Sequence, residues 1–176
     1  MLTTMGAYKQ RTIEFFDLLD ASRSGYIDPE DLSLITARSG SDAQLTPVIS
    51  TFFRELLRAA DPNKDGKVGK EEMLAYVERA ILGKDADAMP EFLRTLAAGA
   101  FQVMDADGNG KVDKAEFERY LKARNVTDPA AANEFAKLDR DRDGSLTAAD
   151  LRAGIHVFFT EVDRDVPQQW LMALFS

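Results

Sequence analysis

The sequence predicts an all-α protein of four helix–loop–helix units in two paired lobes, with a short β-bridge between the loops of each pair. Three observations predict this. Four twelve-residue segments, opening at Asp20, Asp61, Asp105 and Asp139, align without gaps, and each carries Gly five residues after its first Asp (Gly25, Gly66, Gly110 and Gly144). Such self-similarity marks an internal repeat. Apolar residues at three- and four-residue spacing flank every segment, as amphipathic helices require. The 176 residues include no Cys and one His, which excludes a disulfide framework, a thiolate zinc site, a Cys nucleophile and a multi-histidine metal centre.

Along the chain, Tyr8, Phe15 and Phe16 mark the core face of a first helix, and Leu32 and Ile35 continue that face beyond the first segment. Residues 39–47 read as a break, with Thr46 as a helix N-cap and Pro47 in the first turn. Leu57 precedes the second segment, and Met73, Tyr76 and Val77 follow it. Gly83 and Pro90 then interrupt the chain, so one long straight linking helix is not expected and the lobes can fold onto each other. The domains are accordingly residues 1–85 and 86–176. Phe101 precedes the third segment, with Phe117, Tyr120 and Leu121 after it. Asp128 before Pro129 caps the next helix, Phe135 precedes the fourth segment, and Leu151 and Ile155 lie where the chain leaves it. The eighth positions hold Ile27, Val68, Val112 and Leu146. These should face each other across paired loops, Ile27 with Val68 and Val112 with Leu146.

The chain has 22 basic and 30 acidic residues, a net charge of −8. That balance argues against nucleic acid as a main partner, because a phosphate backbone demands a basic face. Fourteen of the acids occupy ligand-type positions of the four segments, and setting them aside leaves 16 against the 22 basic residues. Carboxylates crowded within a few ångströms repel one another, and a multivalent cation neutralises them. A solvated charged face would instead spread its acids at helical spacing and need no glycine at a fixed offset.

Residues 61–72 and 105–116 satisfy Asp-x-[Asp/Asn]-x-[Asp/Asn]-Gly-x5-Glu in full, and residues 139–150 depart only at the last position. On these motifs the chain resembles the EF-hand superfamily. In length, number of hands, a degraded hand and a short apolar C-terminal segment it is most similar to sarcoplasmic calcium-binding proteins and bacterial calerythrin-like proteins. The resemblance implies a compact all-α protein that buffers or transports Ca2+, with Mg2+ competing at some sites. Calcium takes six to eight hard oxygens that alternate residues of a flexible loop can supply, and the sixth-position Gly permits the sharp turn. Carried onto this sequence, the pattern assigns Asp61, Asn63, Asp65, the Lys67 carbonyl and Glu72 to the second loop, with a water at Gly69. The third loop offers Asp105, Asp107, Asn109, the Lys111 carbonyl, Asp113 directly or through water, and Glu116.

The fourth loop offers Asp139, Asp141, Asp143 and the Ser145 carbonyl, with Thr147 at position nine and Asp150 where Glu is expected. A side chain one methylene shorter makes two-oxygen coordination harder. It favours either a displaced loop around calcium or six-coordinate magnesium. The first loop departs furthest, with Ser22 and Ser24 at positions three and five and Asp31 at twelve. Its occupancy is open, and unfilled it still serves as scaffold for the second loop.

A calcium sensor opens a Met-rich groove. Here the six Met are scattered, while the pairs Phe15-Phe16, Phe52-Phe53 and Phe158-Phe159 suit a fixed interior. The segment Trp170-Leu171-Met172-Ala173-Leu174-Phe175 is apolar on nearly every side and too short to span a membrane. It is expected to dock into the chain's own inter-lobe groove, where a sensor receives a partner helix. The alternative is a sensor that exposes its groove or this segment to regulate a partner protein. No nucleophile-and-base motif is present, and His156, flanked by Ile155, Val157 and Phe158, reads as a packed or surface side chain rather than a catalytic one. With no apolar signal-peptide core and no membrane span, the expectation is a cytoplasmic monomer without enzymatic activity.

Overall fold

A computed structural model of the protein describes residues 4–38, 43–127, 129–161 and 165–176. Helix α1 (Thr4–Leu19), strand β1 (Tyr26–Ile27) and helix α2 (Pro29–Arg38) form the first unit. The second is α3 (Leu45–Ala60), β2 (Val68–Gly69) and α4 (Lys70–Ala80). The third is α5 (Glu91–Met104), β3 (Val112–Asp113) and α6 (Lys114–Lys122). The fourth is α7 (Ala130–Leu138), β4 (Ser145–Leu146) and α8 (Ala148–Thr160), after which comes a short helix α9 (Gln169–Ala173). Both strand pairs are antiparallel in the register the eighth positions dictate, Ile27 opposite Val68 and Val112 opposite Leu146. All four of these side chains are fully buried. Two-residue strands are too short to persist alone, so it is this apolar contact that holds each pair of loops together.

The lobes are joined as the linker composition predicts. Helix α4 ends at Ala80, Gly83 takes φ of +72°, a 3-10 turn covers Ala86–Ala88, and α5 starts directly after Pro90. Helix α8 holds this linker in place: Arg152 pairs with Asp87 at 2.8 Å and the His156 Nε2 lies 2.6 Å from the Lys84 carbonyl. The single histidine thus has a structural contact. Across the lobes, α3 packs on α5 and α1 packs on α8. A Cβ on Gly99 of α5 would stand 2.5 Å from Val48 Cγ1 of α3, so this glycine is what allows the two backbones to approach. The Arg11 guanidinium of α1, 6% exposed, donates to the Phe158 carbonyl at 3.0 Å and to the Glu161 carbonyl. A cation from the first lobe therefore satisfies the last carbonyls of a helix in the second, where the helix dipole favours positive charge.

Aromatic rings fill the space between the lobes. Phe15 makes edge contacts with Phe52, Phe158, Phe159 and Phe175 at centroid separations of 5.6–6.1 Å, a geometry worth about 0.5–1.5 kcal/mol per pair beyond burial. Phe175 also lies 5.2 Å from Phe52. The C-terminal segment is therefore a component of the core, with Trp170, Leu171, Leu174 and Phe175 buried against both lobes. All six residues of the three Phe pairs are buried as well.

Three details differ from the sequence reading or fall outside it. Helix α3 begins at Leu45 with Gln44 at the N-cap, which makes Pro47 its third residue and Thr46 part of the first turn rather than the cap. No amide of the first turn has an intrahelical acceptor, so proline fits there as well as at the first position. Leu57 and Phe101 are only half-buried and pack on the rim of the core; their neighbours Leu56 and Ala100 point fully inward. Residue Asp128 and residues 39–42 of the 39–47 break lie outside the described residues. Among the described residues no helix is long and apolar enough to cross a membrane.

If the segment is a structural part of the core, Phe175→Ala should cost about 3–5 kcal/mol, the usual range for emptying a buried phenylalanine site. Urea unfolding at constant metal concentration checks this. An unchanged midpoint would mean that the ring does not sit between the lobes.

Candidate metal centres

Each loop is shaped first by its opening aspartate. In loops one to four (20–31, 61–72, 105–116 and 139–150) its carboxylate accepts the backbone N–H groups four and five residues ahead. Asp105 takes Asn109 at 3.1 Å and Gly110 at 3.0 Å; Asp139 takes Asp143 at 3.1 Å and Gly144 at 3.0 Å. Asp61 and Asp20 do the same with Asp65 and Gly66 and with Ser24 and Gly25. The chain must bend sharply to bring those amides round, and the sixth-position glycines take φ between +82° and +87°, a region a Cβ disfavours. The fourth position is also left-handed, at Arg23, Lys64 and Arg142, with glycine only in loop three at Gly108. A non-glycine residue held there costs of order 1 kcal/mol, which the surrounding bonds offset.

The third- and fifth-position side chains are oriented by the amide two residues on. Asn63 accepts from Asp65, Asp107 from Asn109, Asn109 from Lys111, Asp141 from Asp143, and Asp143 from Ser145. In loops three and four these turns point the oxygens of alternate residues to a common centre, whereas Asp61, Asp65 and Glu72 of loop two are not brought as close together. Asp105, Asp107 and Glu116 each bring a carboxylate oxygen within 4.8 Å of the others, and so do Asp139, Asp141 and Asp143. Every donor is a hard oxygen, a set that fits calcium or magnesium and not a thiolate- or imidazole-seeking ion.

The twelfth position is set by helix capping. Position nine is the N-cap of the outgoing helix and position twelve its third residue, so a capping box aims the last acid back at the loop. In loop three the Asp113 side chain accepts from Glu116 N at 2.8 Å while Glu116 Oε2 accepts from Asp113 N at 3.0 Å. Glu116 Oε1 also accepts from Ala106 at 3.0 Å, so this side chain, 6% exposed, ties the start of the loop to its end. In loop two Glu72 accepts from Gly69 N at 2.8 Å. In loop four Asp150 accepts from the Thr147 amide at 2.7 Å and its hydroxyl at 2.8 Å, and reaches no residue at the start of the loop. Asp143 is drawn below the ordinary aspartate pKa, chiefly by the Ser145 hydroxyl and then by its amide; the Lys111 ammonium 3.6 Å away adds to this.

Loop one is closed by its own groups. Asp31 is fully buried and accepts from Ser22 N and Asp28 N, both at 2.8 Å. The Ser24 hydroxyl donates to the position-seven carbonyl of Tyr26 at 3.0 Å. Sequence spacing placed the acids but missed the left-handed fourth positions. It also missed Glu134, a buried carboxylate on α7; an acid between Ala131 and Phe135 on an otherwise apolar face was the available signal.

Comparison with known proteins agrees with this geometry. A family model described as an EF-hand domain pair matches residues 9–78, and an EF-hand model matches residues 96–122 and 132–156; together they span more than half of the chain. A sarcoplasmic calcium-binding protein of Scylla paramamosain is 26% identical over 139 residues, 72% of each chain. The structure of a sarcoplasmic calcium-binding protein from amphioxus superposes with a TM-score of 0.68 at 24% identity, covering 94% of this chain and 96% of that one. A Streptomyces coelicolor calcium-binding protein, described in terms of prokaryotic calcium-mediated regulation, gives a TM-score of 0.63 at 28% identity over 87% of this chain and 98% of that one.

Because Glu116 alone spans its loop, Glu116→Gln places an amide donor among N–H donors and removes a charge. Calorimetric titration of the metal-stripped variant should show one fewer divalent-ion site than the wild type. Equal stoichiometry would remove Glu116 from the ligand set.

Proposed function

We propose that this chain, which belongs to the EF-hand superfamily, is a cytoplasmic, monomeric calcium buffer acting through loops two, three and four, with magnesium competing most at loop four. In this reading the oxygens of Asp61, Asn63, Asp65, Lys67 and Glu72 hold one ion. Those of Asp105, Asp107, Asn109, Lys111, Asp113 and Glu116 hold a second, and those of Asp139, Asp141, Asp143, Ser145 and Asp150 a third. The bound ion supplies positive charge that offsets the repulsion among converging carboxylates. The two hand pairs divide at residues 85 and 86, where Asp85 precedes the 3-10 turn of the linker.

One observation carries the choice of buffer over sensor. A sensor presents an apolar groove to a partner helix, whereas here that space is filled by the chain's own Trp170 and Phe175, both fully buried. Among the described residues Tyr26 is the exposed large apolar side chain, and the Lys67 ammonium covers its ring at 4.2 Å. Such a surface offers little for a partner or a second copy to bury. The sensor reading, with release of the C-terminal segment to a protein partner, draws support from the likeness to the Streptomyces coelicolor protein.

Hydrophobic-dye fluorescence during a calcium titration of the metal-stripped protein, with millimolar magnesium throughout, separates the two. The buffer reading expects no rise in dye binding, or release of dye from a looser metal-free state. A rise as the sites fill would establish the sensor instead. Asp150→Glu should raise calcium affinity at loop four on the order of tenfold while leaving magnesium affinity behind. Competition calorimetry checks this, and unchanged selectivity would remove side-chain length as the cause of magnesium competition.

A further inference from the structure

Glu134 is a buried carboxylate that no metal loop uses. It lies on α7, five residues before Asp139, and is 4% exposed. Its Oε1 accepts from the Gln168 amide at 2.9 Å and the Gln169 amide at 3.1 Å, and its Oε2 accepts from the Trp170 amide at 3.1 Å. These are first-turn amides of α9, which have no acceptor within their own helix. Three charge-assisted bonds from one side chain therefore seat the whole segment. Lys137, one turn further along α7, pairs with Asp165 of the same stretch.

The segment so captured touches the other helix of the same hand. A Cβ on Gly154 of α8 would meet Leu138 of α7 at 2.6 Å and the Trp170 ring at 3.4 Å, so α7, α8 and the indole share one contact point. The Trp170 carbonyl also accepts from the Tyr120 hydroxyl of α6 at 3.4 Å. Among the described residues the Trp170 indole N–H finds no acceptor, so the polar hold on the segment comes through its backbone, chiefly from Glu134. Loop four, meanwhile, lacks an internal crosspiece: Asp150 bonds to Thr147 alone, where Glu116 joins the two ends of loop three.

We propose that Glu134 is a positioning residue for loop four. By capturing the α9 backbone, it makes the C-terminal segment a brace that holds α7 and α8 in the arrangement where Asp139, Asp141 and Asp143 converge. The proposal rests on the reading of loop four as a metal site. Docking of the segment and ion affinity at loop four then raise each other by the same factor, as linkage requires. Loop two sits on other helices and is outside this coupling; loop three, bridged to loop four by β3–β4 and joined to the segment through Tyr120, shares it in part.

The test uses the full-length, metal-stripped protein titrated with calcium by calorimetry, with exposure of Trp170, the sole tryptophan, read by acrylamide quenching. Glu134→Gln turns one acceptor into a donor facing N–H groups. It should weaken loop four about tenfold, within the usual range of coupling between sites, weaken loop three less than loop four, and leave loop two within about twofold. Glu134→Asp should restore part of the loss. Calcium should lower Trp170 quenching in the wild type and fail to do so in Asp141→Asn/Asp143→Asn. Those two positions are exposed, so this arm reads the coupling even if Glu134→Gln does not fold.

Equal weakening of all three loops, wild-type affinity at loop four in Glu134→Gln, or the same fall in quenching in Asp141→Asn/Asp143→Asn would each overturn the proposal. If Asp141→Asn/Asp143→Asn binds as many ions as the wild type, loop four is not a site and the brace falls with it. If it binds one fewer while Glu134→Gln leaves loop four unchanged, the site stands and only the brace falls.

Discussion

Like charges held close together are the constraint on which the rest of this structure depends. Carboxylate oxygens of Asp105, Asp107 and Glu116 lie within 4.8 Å of one another, as do those of Asp139, Asp141 and Asp143. Even in bulk water each such pair costs about 1 kcal/mol, and more near a protein surface. Backbone amides resist that repulsion locally: every loop turns back so that its opening aspartate receives two N–H groups, and its later oxygens are aimed by the amides that follow. Those bonds require left-handed residues at the fourth and sixth positions. The repeating glycine is therefore a consequence of where the carboxylates must go.

Loops of this kind need firm ends, and the helices provide them. The last acid of each loop doubles as the third residue of the outgoing helix, so capping and ligand placement are one geometric demand. The helices are anchored in turn by a shared interior. Phe15 gathers rings from α3, α8 and the C-terminal segment, Arg11 caps α8 from the opposite lobe, and Gly99 lets α3 and α5 meet. The two hand pairs thus share a single continuous core, which distinguishes this chain from one whose lobes are tethered by a free helix.

The four hands are not equivalent within that frame. Loop three spans itself through Glu116, and loop one contracts around a buried Asp31 with a serine hydroxyl donating to the position-seven carbonyl. Loop four has a short last acid that stays on its own side, and its hand is the one against which Trp170 is packed. Asp31 reaches back to the start of its loop and Asp150 does not, so side-chain length alone does not decide whether a loop is closed by its own atoms.

Much of this was legible in the sequence because the governing interactions are local. The position of an acid, a glycine and an apolar eighth residue within twelve residues determines turn, register and pairing, and the observed β-bridges follow that spacing. The linker break at Gly83 and Pro90 and the burial of the apolar C-terminal segment were readable for the same reason. The start of α3 was not, because proline is tolerated anywhere in a first turn. Tertiary structure alone decided what Arg11, Gly99 and Glu134 do: each acts on a partner at least 34 residues away. A buried acid on an apolar helix face announces that it has a partner. Only the tertiary fold, which lays the C-terminal segment back on α7, brings that partner within reach.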